Sequence, residues 1–105
     1  MRWKYIVLRM SYKAGEQLGN GSRAPRDLVQ EIPVIFPEYL VHREVASVGR
    51  LPGVRRNFDD VVSAGFCYNA DGEWVCQGRS ESLNLDSRSS DSDLLNNYER
   101  TRGIL

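Results

Sequence analysis

The segment DDVVSAGFCYNADGEWVCQGRSESL (59–83) restricts this chain more than any other. Two runs of β-branched and aromatic residues flank Asn-Ala-Asp-Gly, and that composition predicts a β-hairpin. Two registers compete. With a three-residue loop of Ala70, Asp71 and Gly72, Tyr68 faces Trp74 and Phe66 faces Cys76. One face then carries Val62, Ala64, Phe66, Tyr68, Trp74 and Cys76. With Asp71-Gly72 alone as the loop, Cys67 sits opposite Cys76 and a cross-strand disulfide becomes conceivable, but Trp74 shares its face with Asn69, Gly65 and Gly78. A slip of one residue turns every side chain over, so the more coherent apolar face selects the three-residue loop. Cys67 and Cys76 are then expected on opposite faces, as two free thiols of a reducing compartment.

Upstream, WKYIVLRMSY (3–12) alternates, with Ile6, Leu8 and Met10 on one side and Tyr5, Val7 and Arg9 on the other. This is the pattern of a strand. KAGEQLGNGSRAPRD follows without periodicity, so 13–31 is expected to be a long functional or mobile loop. IPVIF (32–36) predicts a short edge strand, since Pro33 lacks a ladder donor. Pro37 suits the first turn of a helix, and Leu40, Val41, Val45 and Val48 form an apolar stripe, giving a helix over about 38–48. Gly49 and Pro52 would end it. Near the C-terminus, Ser90 with Asp93 resembles a capping box ahead of Leu94, Leu95 and Tyr98, so a short second helix is expected there.

At 105 residues, with 14 basic and 14 acidic side chains, the chain fits one domain (1–105) without a global field toward nucleic acid or membranes. No apolar run reaches the roughly 20 residues of a membrane span, and Lys4 and Arg9 interrupt the apolar N-terminal run, so a cytoplasmic protein is expected. The two cysteines lack metal-site spacing and the single histidine cannot complete a ligand set, so no metal and no cofactor are implied.

His42 lies on the shoulder of the predicted helix, about 100° from Val41, with Glu38 four residues earlier on the same face. A histidine closing the edge of a core explains this position better than a general acid–base or a ligand. GRSES (78–82) places Arg79 and Glu81 on a polar row, where Arg79 could anchor an anion, with Ser80 beside it and Ser63 opposite. No base accompanies either serine, so no catalytic set is assigned. GNGSR (19–23) is a weak anion loop. Asp86, Asp91 and Asp93 lack the glycine and terminal glutamate of a calcium loop.

FPEYLVH, VVSAGF and GRSESLNLDSR…D, in that order, resemble a group of small bacterial proteins of uncharacterised function, found as hypothetical open reading frames, some on mobile integron-type gene cassettes. The resemblance covers roughly 32–95 and transfers no activity. It implies a compact, self-associating α+β domain with an accessory role. Among the matching positions are His42, Ser63, Arg79, Ser80 and Glu81.

The order of elements predicts an α+β fold, an antiparallel or mixed sheet of about four strands with two helices packed on one face. The open face, with Trp3, Tyr5 and Val7, would then serve a homo-oligomer or another protein partner. The alternative is a small-molecule-binding protein or small hydrolase-like enzyme built on His42, Glu38 and Arg79. It requires His42 and Arg79 to reach one pocket. A third reading, nucleic-acid binding, requires Arg23, Arg26, Arg55 and Arg56 to converge, and the balanced charge disfavours it.

Overall fold

The computed structural model describes residues 2–17, 21–47 and 60–104. β1 (Trp3–Tyr12) is central, and Tyr5, Ile6, Val7 and Leu8 are all buried. Because successive side chains leave a strand on opposite faces, four buried residues in a row require cover on both sides of the sheet. β2 (Leu28–Pro37) pairs antiparallel along all of β1, from Trp3 opposite Pro37 to Tyr12 opposite Leu28. β3 (Asp60–Ala70) pairs with the other edge of β1 and β4 (Glu73–Gln77) with β3, giving the order β2-β1-β3-β4.

The second strand thus begins at Leu28, four residues before the apolar run at Ile32, so the last part of 13–31 belongs to the sheet. Upstream of it, Gly15 N–H donates to Ala24 O and Ala24 N–H to Glu16 O, both at 2.8 Å, and Gln17 bridges to Arg23. Ala24 is buried beside Met10 and Tyr12. The expected helix also starts later. Pro37 is held in the ladder opposite Trp3, and Leu40 N–H closes a turn on Pro37 O at 3.1 Å. α1 (His42–Ser47) therefore starts at His42 rather than at 38, while Val48, Gly49 and Pro52 lie outside the described residues.

The hairpin takes the register that the apolar-face argument rejected. Ala70 pairs with Glu73, Asn69 with Trp74 and Cys67 with Cys76, leaving Asp71-Gly72 as the loop. Their φ angles, 53° and 85°, are the two left-handed residues of a type I′ turn. This turn matches the twist of the strands, and β3 is buried on both faces, so no single apolar face sets the register.

After β4 the chain forms a small ladder of β5 (Arg79–Ser80) and β6 (Leu85–Asp86), then α2 (Asp91–Ile104). α1 and the β5–β6 turn cover Ile6, Leu8, Phe36 and Ala64 through Val45, Ala46, Leu83 and Leu85. On the other side Leu94 and Leu95 of α2 cover Tyr5, Val7 and Cys67. The fold is antiparallel and α+β, but its helices lie on opposite faces, which corrects the one-sided expectation. The face expected to be open for self-association is the one α2 occupies, and Tyr5 and Val7 have no exposure. The cap also differs. Leu94 N–H reaches Ser90 O, but the side chain that accepts a backbone N–H here is Asp91, from Arg88 at 2.9 Å.

Candidate functional site

At the end of the sheet where α1 meets β5, Lys4 stands opposite Phe66 in the β1–β3 ladder. Lys4 shares the inward register of Ile6 and Leu8, so a cation is aimed at the covered face rather than at water. Its Nζ donates to Leu40 O at 2.8 Å and lies 5.9 Å from the Phe66 ring centroid. The Arg2 guanidinium stacks over the same ring at 4.3 Å.

His42 opens α1 and is 4 % exposed. Its ring is edge-on to Phe36 at 5.4 Å and to Phe66 at 5.8 Å. Nε2 lies 2.7 Å from Gly65 O, and because a carbonyl only accepts, Nε2 carries the proton and Nδ1 is the acceptor nitrogen. Burial lowers the His42 pKa, the Gly65 bond acts against that, and Lys4 adds to the lowering. The imidazole is therefore neutral at pH 7.

Arg79 reaches the same place from β5. It bonds Asn84 Oδ1, and its Nε lies 3.8 Å from Glu81 and 3.7 Å from Asp86. These pairs are largely solvated and individually weak. Lys4, Val41, His42, Phe66, Arg79 and Glu81, with Ser82, line a half-open cleft of about 410 Å³. That volume lies in the range of small-molecule sites. Its lining combines aromatic and aliphatic side chains with two cations and one carboxylate.

Of the residues singled out from the sequence, His42, Arg79 and Glu81 meet in this cleft. Glu38 does not pair with His42. It precedes α1 and lies 3.7 Å from Arg2. Ser80 is buried and its Oγ accepts Leu83 N–H at 3.2 Å, which holds the β5–β6 turn. Ser63 lies opposite Val7, not Arg79, because β3–β4 pairing ends at Phe66 and Gln77. Its buried Oγ has no hydrogen-bond partner among the described residues. Tyr5 is buried beneath α2 and bonds Asp91.

The sequence reading missed Lys4, Phe66 and Ser82. The available signal was Lys4 itself, a charge in register with Ile6 and Leu8. Of the arginines considered for nucleic acid, Arg23 donates to Gly15 O at 3.0 Å, Arg26 is exposed, and Arg55 and Arg56 lie outside the described residues. The glycines of GNGSR fall partly outside them as well.

A second hollow of about 520 Å³ lies at the far end, beside Tyr12, Lys13, Glu16 and Asp27. Its carboxylates are engaged locally, Asp27 by Ala14 N–H at 2.8 Å and Glu16 by Lys13 N–H at 3.3 Å. Among the described residues no three His, Cys, Asp or Glu side chains are grouped to hold a metal, and no helix is long and apolar enough to cross a membrane. Comparison of the chain with protein-family models, curated proteins and solved structures found no match, so the cleft is read on its own chemistry.

Proposed function

We propose that the chain is a small-molecule-binding protein whose cleft between α1 and β5 takes a small organic anion with a flat apolar body. The observation that carries this reading is Lys4. Its ammonium is half-buried, and among the described residues its hydrogen-bond partner is a carbonyl and no carboxylate forms an ion pair with it. A charge withdrawn from water is ordinarily compensated by an opposite charge, and a bound anion supplies one. Arg79, bonded to Asn84, lines the same cleft as the second cationic donor. Phe66 and Val41 offer the apolar lining, and neutral His42 offers an acceptor. Glu81 opposes multiply charged ligands, so a monocarboxylate fits better than phosphate.

The chemistry favours binding over catalysis. The Nε2 proton of His42 is committed to a backbone carbonyl, and no nucleophilic or acidic side chain among the described residues is hydrogen-bonded to its ring.

The test is an NMR titration with benzoate, following the ring protons of His42 and Phe66. Saturable shifts at both rings are expected. Lys4→Gln should weaken binding about tenfold or more, the equivalent of losing one charge-assisted hydrogen bond. Equal affinity in Lys4→Gln, or shifts confined to other parts of the chain, would remove the proposal.

A further inference from the structure

The register of the hairpin places the only two cysteines of the chain directly opposite each other. In an antiparallel ladder, hydrogen-bonded and non-hydrogen-bonded pairs alternate. Ala70 and Glu73, which close the two-residue turn, form a hydrogen-bonded pair. Counting along the ladder makes Asn69–Trp74 non-hydrogen-bonded, Tyr68–Val75 hydrogen-bonded and Cys67–Cys76 non-hydrogen-bonded. The outer edge of β4 supports the count. Cys76 N–H donates away from β3, to Ser92 Oγ at 2.9 Å, and Trp74 N–H to Asn96 Oδ1 at 2.6 Å. A non-hydrogen-bonded pair brings its Cα atoms to about 4.5 Å, inside the span a disulfide can bridge. Both side chains lie on the Tyr5 face of the sheet.

We infer that Cys76 and Cys67 form a dithiol that low-molecular-weight disulfides convert into a cross-strand disulfide. Exposure sets the order of events. Cys67 has no accessible surface, whereas Cys76 is only partly buried on the edge strand. Cys76 therefore gives up its proton and its thiolate attacks the small disulfide, expelling one thiolate and forming a mixed disulfide. Cys67 then loses its proton and attacks the Cys76 sulfur, expelling the second thiolate. Two S–H bonds of the protein become one S–S bond. The two electrons reduce the reagent to two thiols, which take up the two protons.

Burial pushes the Cys76 thiol up to about 11, and burial together with the neighbouring Cys76 pushes the Cys67 thiol up to about 12. The exchange is consequently slow at neutral pH and should accelerate about tenfold per pH unit between 7 and 9. Oxidation would tie the edge strand to β3 beside the Ser92 and Asn96 contacts of α2.

The test exposes the folded chain to excess oxidised glutathione at several pH values and reads intact mass, with circular dichroism confirming the fold. The wild type should lose two hydrogens, retain no glutathione and form no disulfide between chains. Cys67→Ser should stop at one glutathione on Cys76, and Cys76→Ser should remain unmodified. If Cys67→Ser fails to fold, an acid-quenched time course of the wild type, mapped by peptide mass, should show a transient glutathione adduct on Cys76. A wild type that stays reduced, keeps glutathione, or cross-links between chains would overturn the inference.

Discussion

Replacing Tyr5 by Phe removes a single oxygen from the most enclosed polar contact in the described structure. Tyr5 Oη–H donates to Asp91 Oδ2 at 2.5 Å, and neither residue has any exposure. Arg88 N–H and Nε–H also bind this carboxylate, both at 2.9 Å, and Arg88 forks onto Glu31 of β2 at 3.0 and 3.1 Å. The chain of contacts ties the start of α2 to the central strand and to the sheet edge. Burial and the Asp91 bond push the Tyr5 phenol pKa well above its ordinary value, so the donated proton stays in place at any working pH. The Phe variant keeps the ring and its packing, and Asp91 keeps its two bonds from Arg88. The loss is then one hydrogen bond to a charged group, about 2 kcal/mol. For a domain of this size that lowers Tm by roughly 8–16 °C. Urea denaturation at pH 7 reads the difference, with Tyr68→Phe, at an exposed ring, as the control that should change little. A Tyr5→Phe midpoint indistinguishable from wild type would refute the network as the anchor of α2. So would strictly additive costs of Tyr5→Phe and Asp91→Asn, because neighbours in one network couple.

Three further outcomes follow from the same geometry. Gly65→Ala would put a Cβ 2.7 Å from the Gln77 carbonyl oxygen and 3.3 Å from Ser87 Cβ, so a thermal melt should show a loss of about 1–3 kcal/mol. Gly72→Ala forces an L-residue to a φ of 85° and should cost about 1–2 kcal/mol in urea denaturation, and an unchanged midpoint would contradict the left-handed turn. Burial lowers the folded pKa of His42, so the unfolded chain takes up the proton first. The contribution of His42 to stability is complete above about pH 6.5 and is lost as pH falls below it. His42→Gln should flatten this acid limb of the urea midpoint against pH, and an unchanged limb would assign it to other groups.

Much of the fold is legible in the residues. Alternation along 3–12 and the β-branched runs on either side of Asp71-Gly72 give the strands of the sheet. The register was not, because the coherent-face criterion presumes one buried face. β3 buries Ala64 on one side and Ser63 and Cys67 on the other, so either register leaves apolar residues in cover. The turn residues were the better guide, since Asp-Gly satisfies a two-residue type I′ loop outright. The sidedness of the helices was available in Tyr5-Ile6-Val7-Leu8, a run too continuous for a sheet open on one face. The helix start was obscured by Pro37, which suits a first helical turn and an edge strand equally well. For the site, Arg79 and Glu81 are readable as a polar row, whereas Lys4 is signalled only by its register with Ile6 and Leu8, because a lysine near a strand end ordinarily points to water. Its register with Phe66 becomes visible only once β1 and β3 are paired.

The central claim is that the cleft formed by Lys4, His42, Phe66 and Arg79 holds a small organic anion. Native mass spectrometry of the chain, purified gently and then exposed to benzoate, tests it most directly. A small acidic molecule, either retained from purification or supplied as benzoate, should be bound one to one and lost in both Lys4→Gln and Arg79→Gln. A bare mass under all conditions, or an adduct that survives both substitutions undiminished, would contradict it.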